Sequence, residues 1–221
     1  MIEAVIFDFD GVIAESVDIK TDAFRELFRD HPKHLEALIA YHLHHGGVSR
    51  VEKIKYFYNE VLKQPLSQID LDALCRQFSA LVVEKVIAAP FVGGAEELLN
   101  WGKGRFDMFV VSGTPQEEIA EVIDRRRLSE YFREVLGSPR TKKEIVRDIL
   151  DRHDYNSGNI IMIGDAITDL EAAKDNQIFF IARETKESGA WIDDAYVKAR
   201  FSDLCGVKAL IEQQAGELWK A

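Results

Sequence analysis

Short apolar segments alternate with amphipathic helical segments in the second half of this sequence, and this alternation restricts the possible folds more than any other feature. Apolar, β-branched segments that suit buried strands cover residues 3–9, 107–111, 159–163 and 178–182, with a shorter candidate at 134–136. Apolar residues recur at helical spacing over about 115–127, about 142–152 and from about 168. Strands and helices that alternate in this way predict βαβ units and a mainly parallel sheet.

The stretch from residue 14 to residue 88 interrupts the alternation, because every pattern in it is helical. Apolar stripes at helical spacing cover residues 18–29, 50–63 and 68–86. Ala89-Pro90 and Gly93-Gly94 then mark a return to the first pattern. We therefore predict an α/β protein with a Rossmann-like parallel-sheet core, residues 1–13 and 89–221, and an inserted all-helical cap domain, residues 14–88.

The composition excludes several other classes of protein. The 221 residues carry 38 acidic and 28 basic side chains, a net charge of −10, whereas a nucleic-acid-binding protein ordinarily presents a basic face. No apolar run approaches the roughly 18 residues that a membrane-spanning helix needs. Asp8 and Asp10 interrupt the apolar N-terminus, which argues against a secretory signal. The two cysteines, Cys75 and Cys205, are typical of a reducing compartment, so we expect a cytoplasmic protein with neither nucleic acid nor membrane as partner.

Polar residues follow three of the predicted strands. Asp8 and Asp10 follow the first, Ser112 follows the second, and Asp165 and Asp169 follow the segment at 159–163. Because ligands of open parallel sheets bind at the carboxyl ends of the strands, we expect these groups to converge. Carboxylates this close repel one another, and an oxygen-ligated divalent cation, Mg²⁺, is the simplest way to satisfy them.

The spacing of Asp8 and Asp10 suggests a division of labour. Residues i and i+2 of a strand point the same way, so one carboxylate could bind metal and attack while the other moves protons. Gly11 allows a sharp turn directly afterwards. The alternative is a strand that simply ends in solvated aspartates.

Three helix starts carry a capping-box pattern that could also bind an anion. The boxes begin at Thr114, Thr141 and Thr168. Helix N-termini offer free amide hydrogens to phosphate, and Ser112 and Lys142 would add a hydroxyl and a charge. Each box alone is explained by helix capping, whereas together they predict a phosphate site that faces the metal site.

These residues, in this order, resemble the motifs of the haloacid dehalogenase superfamily of phosphohydrolases. The matching segments are DFDGV at residues 8–12, VVSGT ending at Thr114, the lysine of SPRTKKEI, and IGDAITD with Asp165 and Asp169. The inserted helices resemble the cap of one branch of that superfamily. Its dehalogenases lack the second aspartate and use no metal, so Asp10 together with Asp165 points away from dehalogenation.

The resemblance implies a role for each motif residue. Asp8 would attack phosphorus, and Asp10 would protonate the leaving oxygen and then activate water. Mg²⁺ would be held by the Asp8 carboxylate, the Asp10 backbone carbonyl and Asp165, with Asp169 touching the metal or its waters. The phosphoryl oxygens would be held by Ser112, the amide of Gly113 or Thr114, and Lys142, with Lys143 as the rival lysine.

The cap offers two candidate substrate contacts and one cluster of uncertain role. The segment GGVSR at 46–50 resembles the cap loop of β-phosphoglucomutase-like members, in which such an arginine holds a distal anionic group. Arg50 is therefore a candidate anion clamp, with a solvated surface charge as the alternative. Lys20 is expected on the surface of the first cap helix, with a role in the site left open. The histidines around His42 fit a polar helix face better than a transition-metal site.

The sequence thus predicts a magnesium-dependent phosphatase that acts on a small phosphorylated metabolite. Phosphoglycolate, a sugar phosphate and a nucleotide all remain possible substrates, and the oligomeric state is open. The alternatives are a phosphoryl-transferring mutase of the β-phosphoglucomutase type and a non-catalytic relative that binds phosphate or a protein.

Overall fold

The computed structural model describes residues 2–214, and its centre is a six-stranded parallel sheet. The strands are β1 (Ala4–Phe7), β2 (Asp107–Pro115), β3 (Glu134–Ser138), β4 (Ile160–Gly164), β5 (Phe179–Arg183) and β6 (Val197–Phe201). Their order across the sheet is β3-β2-β1-β4-β5-β6, and every neighbouring pair is parallel. Because the order reverses beside β1, ligands are expected at the carboxyl ends of β1 and its two neighbours.

Helices cover both faces of the sheet and form the insertion between β1 and β2. The insertion contains α1 (Val17–Leu27), α2 (Pro32–His44), α3 (Arg50–Tyr56), continued by a π-helical segment at Phe57–Leu62, and α4 (Gln68–Ala88). The core helices are α5 (Ala95–Gly102), α6 (Gln116–Arg125), α7 (Lys142–His153), α8 (Ile167–Asp175) and α9 (Val207–Gln214). The predicted fold class, a Rossmann-like core with an inserted helical cap, is confirmed. The exact domain boundaries remain a prediction, and residues 1 and 215–221 of the predicted core lie outside the described chain.

Burial on both faces explains why β1 reads as a continuous apolar run. Val5 and Phe7 pack into the hydrophobic cluster that extends to the cap, whereas Ala4 and Ile6 pack into the cluster beneath α7 and α8. All four side chains are inaccessible or nearly so. A strand in the middle of a parallel sheet is covered on both sides and therefore has no polar face.

Aromatic side chains hold the helical cap together. Phe24 of α1 meets Phe78 of α4, and Phe28, directly after α1, meets Phe57 of the π-helical segment; the ring centroids are 4.5 Å apart in both pairs. All four rings are fully buried. The helical pattern predicted at 50–63 is therefore present, although its second half winds as a π-helix.

The sequence patterns missed or misplaced several elements. The structure also contains β6, α2, α5 and α9, which no sequence pattern predicted. In β6 the charged residues Lys198 and Arg200 alternate with apolar ones, because this strand lies at the edge of the sheet and has an exposed face. The first strand ends at Phe7, so Asp8 and Asp10 lie beyond it, and the argument that they point the same way as residues i and i+2 of a strict strand is wrong.

Among residues 2–214, no helix has the length and apolar character needed to cross a membrane.

Candidate active site

Three aspartates from two neighbouring strand ends form a cluster, in which Asp8 and Asp169 are buried and Asp165 is partly exposed. Asp8 follows β1, and its backbone N–H still donates to Ile163 of β4, at 2.9 Å. Asp165 follows β4, and Asp169 lies in the first turn of α8. One carboxylate oxygen of each aspartate lies within 4.8 Å of the others. The sequence prediction that these groups converge is thus realised in space.

Lys142 joins this cluster from the first turn of α7. Its Nζ donates to Asp8 Oδ2 at 2.6 Å and to Asp169 Oδ1 at 2.7 Å. The helix start is fixed by the capping box of Thr141 and Glu144, as predicted. Lys143 points the other way and pairs with Asp175 on the surface. Of the two candidate lysines, the structure therefore places Lys142 in the site.

The cluster carries more negative charge than Lys142 neutralises. Burial and the adjacent carboxylates raise the pKa of Asp165 well above its ordinary value. Burial raises the pKa of Asp169 to about 7, and burial also raises that of Asp8, against the opposing charge of Lys142. The Asp165 carboxylate has no hydrogen-bond or ion-pair partner among residues 2–214. An all-oxygen set with excess negative charge fits a bound divalent cation.

Asp10 has a separate environment from that cluster. Its carboxylate accepts hydrogen bonds from Lys20 Nζ at 2.5 Å, Ser16 Oγ at 2.7 Å and Thr114 Oγ1 at 3.1 Å. Although burial opposes the shift, the charge of Lys20 and these hydrogen bonds lower the pKa of Asp10. The carboxylate of Asp10 thus accepts from three hydrogen-bond donors. The predicted metal contact of Asp10 is its backbone carbonyl, which these bonds leave unaffected.

Lys20 lies inside the site and not on the cap surface, where we expected it. Its ammonium group bridges Asp10 and Thr114 Oγ1, the latter at 2.7 Å. The apolar stripe of α1 gave the register of the helix, but it did not show that the polar face of this helix packs over the carboxyl end of β1.

Two of the predicted capping boxes are wrong. Thr114 belongs to β2, and α6 begins after it at Gln116. Helix α8 begins at Ile167, so Thr168 is already helical, and Asp169 accepts the N–H of Ala166 at 3.2 Å. In both cases the helix starts one or two residues from the predicted position, which leaves the threonine hydroxyls free for other contacts: Thr114 bonds Asp10, and Thr168 Oγ1 donates to Gly46 of the cap at 3.2 Å.

Gly11 and Arg183 shape the loop that follows Asp10. Gly11 has a φ of +75°, and a Cβ there would lie 2.0 Å from Asp165 Oδ2. Any other residue would therefore meet both backbone strain and the Asp165 carboxylate. Arg183, at the end of β5, donates to the Gly11 carbonyl at 2.7 Å and to Glu15. Arg183 was not among the predicted site residues, although its position directly after a predicted strand could have indicated it.

The cap loop closes directly over the end of β2. A Cβ on Gly113 would lie 2.2 Å from the carbonyl oxygen of Gly47, so the two backbones are almost in contact. Ser112 is buried, and its Oγ accepts the N–H of Thr114 at 3.1 Å. A cavity of about 100 Å³ remains between core and cap, and Asp8, Asp10 and Asp165 are part of its wall. These three carboxylates thus face a space between core and cap that is of small-molecule size.

Arg50 lines this cavity but already has an acidic partner. Its guanidinium pairs with Glu118 of α6, donates to Ser79 Oγ at 2.6 Å and lies 4.6 Å from the centre of the Phe78 ring. The side chain is 5% exposed, so the alternative of a solvated surface charge is wrong. Glu118 completes the triangle by accepting the Ser79 hydroxyl at 2.7 Å. Arg50 therefore links α3 and α4 of the cap to the core.

His42 and Lys53 form a buried polar pair that the sequence reading did not find. Lys53 Nζ lies 2.8 Å from His42 Nδ1, and both residues line the cavity. His42 is 6% exposed, so the expected polar helix face does not describe it. The available signal was the spacing of Arg50 and Lys53, which puts them on the same face of one helix.

Fold and site together define an α/β protein with a helical cap inserted after the first strand and a carboxylate cluster with a lysine at the sheet's carboxyl edge. The model of the haloacid dehalogenase-like hydrolase family matches residues 5–183. The chain therefore belongs to the haloacid dehalogenase-like hydrolases, which confirms both the resemblance and the prediction that it is an enzyme of this family.

Solved structures of three organisms illustrate the similarity. CbbY from Rhodobacter sphaeroides, crystallised with phosphate, has a TM-score of 0.74 and 18% identity, over 94% of this chain and 96% of that one. A predicted phosphoglycolate phosphatase from Haemophilus somnus 129PT has a TM-score of 0.75 and 14% sequence identity, over 95% of this chain and 97% of that one. β-Phosphoglucomutase from Clostridium difficile has a TM-score of 0.73 and 22% sequence identity, over 96% of both chains. At these identities the likeness shows a shared fold. None of the curated protein sequences matches this chain.

Proposed function

We propose that this hydrolase is a magnesium-dependent phosphatase that releases phosphate from a small phosphorylated metabolite through an aspartyl-phosphate on Asp8. The observation that carries the proposal is the position of Lys142, which donates to Asp169 and to Asp8, and Asp8 lines the cavity between core and cap. The family membership and the phosphate found in the CbbY structure agree with this chemistry. Mg²⁺, when bound, would supply charge that offsets the phosphoryl oxygens.

The first half of the reaction requires a nucleophile and a cradle for the phosphoryl group. Asp8 would attack phosphorus while Lys142 and the Gly113 amide hold two of the phosphoryl oxygens. Ser112, which fixes the backbone of Thr114 through a hydrogen bond, would hold another. Asp8, the Asp10 backbone carbonyl and Asp165 would hold the metal, with Asp169 beside it. Phosphoryl transfer depends mainly on such positioning and on electrostatic stabilisation.

The second half requires a base, and the surroundings of Asp10 suit that role. Lys20 keeps Asp10 ionised, so its carboxylate can take a proton from the water that attacks the phospho-enzyme. In the first half the proton for the leaving oxygen would pass from Lys20 through Asp10, since the two groups share a hydrogen bond. The proton taken from water then returns to Lys20, which restores the starting state.

The direct test is phosphate release from p-nitrophenyl phosphate, with Mg²⁺ and with a chelator. We expect turnover that requires the metal and falls roughly a thousandfold or more in Asp8→Asn, while the melting temperature stays near that of the wild type. Asp151→Asn, an exposed aspartate of α7, is the matched control and should retain full activity. Equal rates with and without metal, or in Asp8→Asn, would contradict the proposal.

A panel of phosphorylated metabolites would then identify the substrate class. Phosphoglycolate, sugar phosphates and nucleotides are compared by kcat/KM under the same conditions. If a sugar monophosphate is converted to its isomer only when a bisphosphate is present, the mutase alternative holds instead of the phosphatase.

A further inference from the structure

The cap wall of the cavity contains a buried cation without an acidic partner. Lys53 lies one helical turn after Arg50 on α3, is 4% exposed and lines the cavity that Asp8 and Asp10 also line. Among residues 2–214, no carboxylate forms an ion pair with its ammonium group. A buried charge is costly unless an opposite charge and hydrogen bonds compensate it.

A directional chain of hydrogen bonds holds this ammonium group in place. Lys53 Nζ donates to His42 Nδ1 at 2.8 Å and to the His42 carbonyl at 3.3 Å. Burial and the charge of Lys53 lower the pKa of His42 to about 2, so the ring is neutral and Nδ1 accepts. The ring's Nε2–H then donates to Thr21 Oγ1 at 3.1 Å, and that hydroxyl donates to the Val17 carbonyl at 3.1 Å.

This chain satisfies two of the three ammonium hydrogens and leaves the third without an acceptor among the described residues. Burial, together with the positive charge of Lys20, lowers the pKa of Lys53 to about 7. An anion placed in the cavity would both accept that hydrogen and restore the full charge. The cavity thus contains one buried ammonium hydrogen that an anionic ligand could accept.

The other charged groups around the cavity already have partners. Arg50 pairs with Glu118, Lys20 pairs with Asp10, and Glu187, which also lines the cavity, pairs with Lys186 at 3.4 Å. The carboxylates on the core side belong to the metal and phosphoryl site. Lys53 is therefore the group on the cap side whose charge a ligand has to balance.

We propose that Lys53 binds a second anionic group of the substrate, a carboxylate or a further phosphate carried by the leaving group. This inference rests on the proposed phosphatase function, because it assumes that the first anion, the phosphoryl group, lies at Asp8. It assigns the selectivity of the cap to Lys53, with His42 as a positioning residue, and predicts that substrates with an uncharged leaving group bind more weakly.

The test measures binding of two non-hydrolysable phosphonates by calorimetry in the presence of Mg²⁺. 3-Phosphonopropionate carries a carboxylate, whereas propylphosphonate has the same length without it. We expect the wild type to prefer the first by about tenfold or more, as for a hydrogen bond to a charged group. Lys53→Gln keeps a donor for His42 but removes the charge, and should abolish the preference; Lys53→Met should do the same.

Lys55→Met is the matched control, since Lys55 lies on the same helix but is exposed and paired with Glu52. It should keep the wild-type preference. A kinetic arm compares kcat/KM for fructose 1,6-bisphosphate and fructose 6-phosphate, so that a second phosphate is distinguished from a carboxylate. A preference in either pair that Lys53→Gln removes supports the inference.

The inference is overturned if the wild type prefers the doubly anionic compound in neither pair, or if Lys53→Gln keeps the preference. Failure of the phosphatase proposal has a different signature. In that case no phosphate is released from any compound, yet the calorimetric preference between the two phosphonates can still be measured, because neither phosphonate has to react.

Discussion

At the scale of single residues, the site depends on where two lysines place their charge. Lys142 is shared by Asp8 and Asp169, and those carboxylates raise its pKa although burial opposes this. Lys20 is shared by Asp10 and Thr114. The first lysine therefore contacts Asp8, the proposed nucleophile, and the second lowers the pKa of the neighbouring Asp10.

Replacing Lys142 should remove much of the activity, whereas replacing its neighbour should not. Lys142→Met removes the cation that faces the phosphoryl oxygens, and we expect kcat for p-nitrophenyl phosphate to fall roughly a hundredfold or more. Lys143→Met, one residue away but on the surface, should stay within about twofold of the wild type. Equal losses in the two variants would show that the charge of Lys142 has no specific role.

Replacing Lys20 should move the pH dependence of the reaction. Lys20 lowers the pKa of Asp10, so Lys20→Met should raise that pKa. Asp10 would then lose its ionised form at a higher pH, and the acidic limb of the kcat profile should shift upward by about one pH unit. The maximal kcat should also fall, because Lys20 is the proposed source of the proton for the leaving oxygen. The measurement is kcat against pH for both proteins. An unchanged acidic limb would mean that Asp10 does not set it.

At the scale of elements, the contact between the cap and α6 depends on one buried ion pair. Arg50 of α3 meets Glu118 of α6, and Ser79 of α4 bonds both. Three helices from two parts of the fold therefore share a single polar cluster. The same contact explains why Arg50, a candidate clamp in the sequence, has its charge balanced within the protein.

Breaking this pair from one side should destabilise the protein. Arg50→Ala leaves Glu118 buried without a counter-charge, and we expect the free energy of unfolding to fall by about 3 kcal/mol. Adding Glu118→Ala should recover part of that loss, which a double-mutant cycle in denaturant measures. Independent, additive effects of the two substitutions would contradict the coupling.

Much of the fold and part of the site could be predicted from the sequence. Periodicity found β1 to β5 and three of the four cap helices, because these elements bury apolar faces. The aspartates and Lys142 were found since they follow strands or begin helices. The contacts of Lys20, Arg50 and Lys53 could not be derived in this way, because they depend on how the cap packs against the core. Local sequence patterns do not determine that packing. The roles of these residues remain proposals.

At the scale of the whole molecule, the contact between cap and core lies beside the candidate metal site. The cap loop touches β2 at Gly113 and α8 at Thr168, directly beside Asp165 and Asp169. Carboxylate repulsion in this centre opposes folding of the metal-free protein. A divalent cation should therefore stabilise the complete structure and not only the reacting groups.

This stabilisation should depend on pH in a definite direction. The pKa of Asp169 is about 7 in the folded protein and 3.8 as an ordinary aspartate. Its protonated form therefore favours the folded state at low pH, and that contribution is lost as the pH rises through about 7. Since Mg²⁺ replaces the proton, its effect should be small at pH about 5 and largest near pH 8.

Thermal melts with Mg²⁺ and with a chelator, at both pH values, measure this difference. We expect the gain in melting temperature to be several degrees near pH 8 and close to zero near pH 5. Asp165→Asn, which removes a ligand oxygen and lessens the repulsion, should melt higher than the wild type in chelator and gain less from the metal. A gain that is equal at both pH values, or larger in acid, would mean that the metal does not compete with protons for these carboxylates.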